Sequence, residues 1–127
     1  MKKSILFGFA AVFFCLETFA TEKIFPVLEL TSSTWTHESD SEFAIVVGQV
    51  KNISKNKYDY VEAVANFSDA KGNLIATHSS LIQYNPILSD QVSPFKIMVP
   101  WNPAFKTLNI EFQQTMRGKL EHRTKKK

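Results

Sequence analysis

The sequence predicts an all-β chain: two antiparallel sheets packed as a sandwich of six to seven strands, preceded by a cleaved leader. Three observations predict it. β-Branched and aromatic residues come in short runs that alternate with polar residues. No stretch of the chain after the leader sustains a helical period. The runs are separated by breaks containing Pro, Gly or Asn, the residues that turn a chain between strands.

The first twenty residues read MKKSILFGFAAVFFCLETFA. Lys2 and Lys3 make a basic start, residues 5–16 are an unbroken apolar run, and TFA closes on a small residue. That order is expected of a bacterial secretory signal, cut between Ala20 and Thr21. A membrane span needs about 20 apolar residues, and Glu17 ends the run before that. The expected destination is the periplasm or the outside of the cell, with no membrane-spanning segment after cleavage. Cys15 is the single cysteine. A lipidated cysteine follows a small residue, whereas Phe13 and Phe14 precede this one, so it is expected to leave with the leader. The remaining domain, residues 21–116 and a tail at 117–127, is then held by its core alone, without a disulfide.

Strands are expected at residues 25–30, 42–52, 58–69, 73–84, 95–99 and 107–114. Alternation is clearest in TLNIEFQQ, where Leu108, Ile110 and Phe112 share one face and Asn109, Glu111 and Gln113 the other. In PFKIMVP, Phe95, Ile97 and Val99 point together between two prolines. In YVEAVANFSD, Val61, Ala63, Ala65 and Phe67 form an apolar face. Lys71-Gly72-Asn73 reads as a tight hairpin, NISKNK as a second hairpin or a corner, and YNPILSDQVSP as a longer crossing. Short strands at this spacing point to an immunoglobulin-like sandwich; a small barrel is the alternative architecture.

The block from Ala44 to Pro100 resembles the FxLYD family of bacterial exported domains and the related late-embryogenesis-abundant type 2 sandwiches. The pieces that carry the resemblance are Gly48, Val50, Asn52 and Ser54, then Val61, Ala63, Ala65, Phe67 and Asp69, then Gly72, then Pro94, Phe95 and Val99. The literal F-x-L-Y-D string is absent, and the turn before the last sheet edge reads LSDQVSP. The resemblance implies a scaffold or interaction module with no common active site. It also implies that Gly48 lies where the strand enters a corner and a side chain would meet the facing strand. Asn52 is expected to bond the backbone of the turn that follows it.

Chemistry-bearing residues are sparse. His37, His78 and His122 show no metal-ligand spacing, there is no G-x-S-x-G elbow, and four glycines supply no phosphate loop. Glu38, Asp40 and Glu42 alternate in THESDSE but lack the glycine turn and closing glutamate of a calcium loop, so a solvated acidic loop is expected. Asn52-Ile53-Ser54 and Asn66-Phe67-Ser68 match a glycosylation acceptor; the second lies inside an expected strand and the leader is of bacterial type, so both matches are read as coincidence. No cofactor and no metal are expected, and the chain is read as a non-enzyme.

Charge is divided along the chain. Residues 21–116 carry seven Lys and Arg against ten Asp and Glu, and residues 117–127 carry six basic residues against one acidic. A mildly acidic domain lacks the basic face that nucleic acid requires. The tail, with Leu120 its one apolar residue, is expected to be disordered. The residues expected to meet a partner are the aromatics Trp35, Tyr84 and Trp101, placed in loops or at a strand end, and the tail cations Arg117, Lys119, Arg123, Lys125, Lys126 and Lys127. The aromatics serve equally as caps on the open ends of the core. The expected function is a non-enzymatic interaction or scaffold domain of the cell envelope whose partner is a protein, an anionic envelope polymer or an anionic lipid surface. The alternatives are a small envelope hydrolase or ligand-binding subunit, or a secreted effector.

Overall fold

A computed structural model describes residues 25–126; the leader, its Ala20–Thr21 junction, Cys15 and Lys127 lie outside the described residues. Eight strands follow one another: β1 (Leu28–His37), β2 (Phe43–Asn52), β3 (Val61–Ser68), β4 (Leu74–Leu81), β5 (Val92–Pro100), β6 (Thr107–Gln114), β7 (Gly118–Leu120) and β8 (His122–Thr124). They form two four-stranded sheets, ordered β5-β2-β1-β8 and β4-β3-β6-β7. Every pairing is antiparallel except β1 with β8. The immunoglobulin-like sandwich is therefore the architecture, and two separate sheets replace the alternative of a closed barrel.

The alternating faces meet as the sequence requires. Val61, Ala63, Ala65 and Phe67 of β3, with Ile110 and Phe112 of β6, face Val46, Val50, Phe95, Ile97 and Val99 of the first sheet, all buried. Each such Val, Ile or Phe contributes about 2 kcal/mol on leaving water. Ile82 and Ile87 from the β4–β5 crossing and Phe105 from the β5–β6 connection close the core.

Asn52, at the end of β2, is fully buried. Its amide donates to the carbonyls of Asn56 (2.7 Å) and Ile87 (3.1 Å). Its Oδ1 accepts from the Ser54 N–H (3.0 Å) and hydroxyl (2.8 Å). Buried amides are tolerated where every polar atom has a partner. Here one side chain ties the turn after β2 to the loop before β5, the backbone role expected of it.

Gly48 is required for close approach, but its neighbours differ from those expected. A Cβ at this position would stand 2.5 Å from Phe95 Cζ and closer still to the Ser32 carbonyl oxygen. Phe95 and Ser32 belong to β5 and β1, the strands flanking β2 in its own sheet, so the crowding comes from beside the strand and not from a corner facing the other sheet. Its cause is a bulge in β1. Leu30 pairs with Val50 and Ser32 with Gln49, leaving Thr31 as an extra residue. The bulge brings the Ser32 carbonyl over Gly48 and switches which residues of β1 face inward. Leu28 and Leu30 point into the core before it, and Trp35 does so after it.

That switch also explains why β1 extends to His37 instead of ending at residue 30. The tail departs further from expectation. Residues 118–120 pair with β6 and residues 122–124 run beside the start of β1. Gly118, with φ of 106°, makes the turn, Leu120 packs on the core, and the Glu121 carbonyl accepts the Val27 N–H at 2.9 Å. The expected disorder is replaced by two short edge strands because Leu120 and His122 supply inward groups at the pleat spacing.

Candidate binding groove

The described aromatics do not make one surface. Trp35 lies within β1, not in a loop, edge-on to Phe67 at 5.2 Å and 86°. Trp101, in the β5–β6 connection, stacks on His37 at 3.7 Å and 7° and meets Phe105 edge-on at 5.7 Å. Phe67 and Phe105 stack at 4.1 Å beneath them. This cluster caps one end of the core. Tyr84 belongs to the other end, where its N–H donates to the Ser93 hydroxyl at 3.0 Å. Ser93 pairs with Val50, whereas the Trp101 N–H bonds the Glu42 carbonyl. Eight residues of strand, about 26 Å, separate the two positions.

The tail cations divide as well. Arg117 pairs with Asp59 at 3.6 Å, Lys119 with Glu111 at 3.4 Å, and Arg123 with Glu29 at 2.8 Å. Three of the six residues expected to meet an outside anion thus face acids of the domain itself. Lys125 and Lys126 form no ion pair among the described residues and line a depression of about 360 Å³ with Leu30, Thr31, Ser32, Ser33 and Thr124.

A larger trough adjoins that depression and shares Ser32 and Ser33 with it. It holds about 670 Å³ and crosses β1, β2 and β5 on the outer face of the first sheet. Its floor is Val47, Gly48 and Gln49; Ser32 and Thr34 stand on one side, Pro94 and Lys96 on the other, with Leu81 and Gln83 at the rim. The trough runs beside the bulge at Thr31, of which alternation alone gives no signal.

The two outer faces of the sandwich differ in the charges they carry. On the second sheet, Gln113 donates to Glu62 (2.6 Å), Asn66 donates to Glu111 (3.0 Å) and Thr77 donates to Asn66 (2.9 Å). The two carboxylates of that face, Glu62 and Glu111, are thus bonded, while the exposed side chains of Ser79 and Asn109 beside them form no bond among the described residues. On the first sheet, the Thr31 hydroxyl donates to the Gln49 carbonyl at 3.0 Å. The side chains of Ser32, Thr34, Gln49, Gln83 and Lys96 have no partner among the described residues and are exposed to solvent. Lys51 lies on the same face by its alternation with buried Val50 and Asn52, and Glu29 on that face is held by Arg123. The trough itself has no carboxylate in its lining.

Acid–base groups are dispersed. His37 stacks on Trp101 and bonds the Ser41 carbonyl at 2.8 Å, His78 is exposed on β4, and His122 lies edge-on to Phe112. Burial pushes the His122 imidazole below its ordinary value, opposed in part by Glu111. The Asn73 backbone N–H, with further donors from Lys71, Gly72 and the Asn73 side chain, holds the Asp69 carboxyl below the usual carboxylate range, which marks a hairpin clamp. No group of three or more His, Cys, Asp and Glu lies close enough to hold a metal among the described residues. No helix among them is long and apolar enough to cross a membrane.

No family model and no curated protein matches the chain. Among solved structures, a β-glucuronidase from glycoside hydrolase family 2 is similar, with a TM-score of 0.56 and 14% identity over 75% of this chain. The match spans 12% of that enzyme. A similarity at this identity shows the fold alone: the chain is a β-sandwich of a kind also found as a segment of a much larger protein.

Proposed function

We propose that the chain is an exported, non-catalytic binding module of the bacterial envelope that holds an anionic polymer or anionic lipid headgroups on the outer face of its first sheet. One observation carries the reading. Lys96 lines a trough of uncommitted hydroxyl and amide groups with no carboxylate in it, Lys125 and Lys126 line the depression that adjoins it, and Lys51 lies on the same outer face, while Glu62 and Glu111 of the other face are already bonded. Uncommitted donors around a positive field suit a ligand rich in charged oxygens. The leader supports export, the dispersal of the histidines supports a role without bond breaking, and the resemblance to FxLYD-type domains supports a scaffold module.

The test is retention on lipopolysaccharide and on anionic vesicles at low and moderate ionic strength, comparing the protein with a variant in which Lys51, Lys96, Lys125 and Lys126 are all Gln. The expected result is salt-sensitive retention, at least tenfold weaker in the variant. Equal retention of both proteins, or none by either, overturns the proposal. Point substitutions keep β7 and β8, which deletion of residues 117–127 would remove.

A further inference from the structure

Among the described residues, the upper half of β1 is a strand edge without a neighbour. β8 covers β1 only from Leu28 to Leu30, and the Lys125 N–H adds one bond to the Leu30 carbonyl at 2.9 Å. From Ser33 to His37 the strand pairs with β2 on one side and with nothing among the described residues on the other. Alternate residues of such a half-paired strand turn an N–H and a C=O outward, ready to template another strand. Other edges are protected. β5 carries Pro94, Lys96 and Pro100 and receives the Gln83 N–H on its Pro94 carbonyl at 3.0 Å. β4 packs across the seam against β5 and starts with a bulge. β7 and β8 are three residues each and carry Lys119 and Arg123. The free stretch STWTH has no proline, no lysine and no bulge.

We infer that a second copy of this chain pairs antiparallel with residues 33–37 of β1, joining the two first sheets into one continuous sheet across a two-fold axis at Trp35. Charge selects this occupant. Lys125 and Lys126 stand at the lower end of the free edge, where β8 leaves β1. Glu38 and Asp40 stand at its upper end, in the turn after β1. An antiparallel second copy lays its acidic end against this copy's basic end, and the two-fold repeats the match on the other side. Centred on Trp35, the pairing sets Thr34 opposite Thr36 of the second copy. Both threonines are exposed on the outer face, so the two grooves come to lie side by side. The inference shares Lys125 and Lys126 with the anionic site proposed above, but its ground is the open strand edge and not that ligand.

Sedimentation velocity of the intact protein over a concentration series up to about 1 mM tests it. The expected result is a reversible monomer–dimer equilibrium. The double variant Thr34→Lys/Thr36→Lys sets lysines opposite lysines without touching the core, and is expected to weaken dimerisation at least tenfold while keeping its thermal unfolding transition. Lys125→Glu/Lys126→Glu and Glu38→Lys/Asp40→Lys are each expected to sediment as monomers alone and to form a mixed dimer when combined. A protein monomeric at every concentration, a dimer indifferent to the paired lysines, or charge variants that fail to associate on mixing would each overturn the inference.

Discussion

Replacing Gly48 by Ala tests the packing at the floor of the groove, because two effects of opposite sign compete there. In an ordinary strand interior, Gly→Ala stabilises by about 0.5–1 kcal/mol through the lost freedom of the unfolded chain. At Gly48 the new methyl meets the Ser32 carbonyl, and it stands 2.5 and 2.9 Å from two ring atoms of Phe95. The ring is buried, only 4% exposed, and the carbonyl belongs to a strand fixed by its ladder with β2. Neither can withdraw without moving a strand. Overpacking of this kind costs about 1–3 kcal/mol, and a clash with backbone belongs at the upper end of that range. The net expectation is a loss of about 2 kcal/mol, or a Tm lower by roughly 8–16 °C for a domain of this size. Thermal and urea unfolding measure it. A second substitution, Phe95→Leu, should recover part of the loss when combined with Gly48→Ala, giving a double-variant coupling that leaves the Ser32 share behind. A Gly48→Ala protein with unchanged or raised Tm would show that β1 and β5 do not crowd this position.

Two further outcomes follow from the docked tail. Deleting residues 117–127 removes Leu120 from the core and the bonds of β7 and β8 to β6 and β1; the expected cost is about 2–4 kcal/mol in urea unfolding, where a disordered tail would cost nothing. His122, whose imidazole burial holds below its ordinary value, binds its proton more readily unfolded than folded. Its contribution to stability is complete above about pH 6.5 and declines as pH falls through that value toward the lower folded one. Tm measured from pH 7.5 to 5.5 should fall, and His122→Gln should flatten the slope; identical slopes in both proteins would refute the assignment.

The trough was not legible before folding, although most of its residues were in view. Gly48 is a glycine inside an alternating run, yet the strands that crowd it are set by register. Ser32 and Thr34 looked like loop residues because Thr31 breaks the alternation between Leu30 and Trp35. An inserted residue flips every side chain beyond it, so a period-two reading stops there. The sequence predicts a loop at Trp35 for the same reason. The tail's charge was visible as a basic block, but Arg117, Lys119 and Arg123 find Asp59, Glu111 and Glu29 only across long separations in the chain.

Local pattern determined the sandwich and its dry faces. Val61 to Phe67, Phe95 to Val99 and Leu108 to Phe112 carry their alternation in the order of residues, and burial follows from the pleat. The clamp at Asn52 belongs with them in part, since a buried amide at a strand end must bond the turn beside it. Tertiary structure alone decided the bulge in β1, the docking of β7 and β8, the bare edge from Ser33 to His37 and the trough over Gly48. Each depends on which distant segment lies alongside, and pairing between distant strands is fixed by the packing of the whole core.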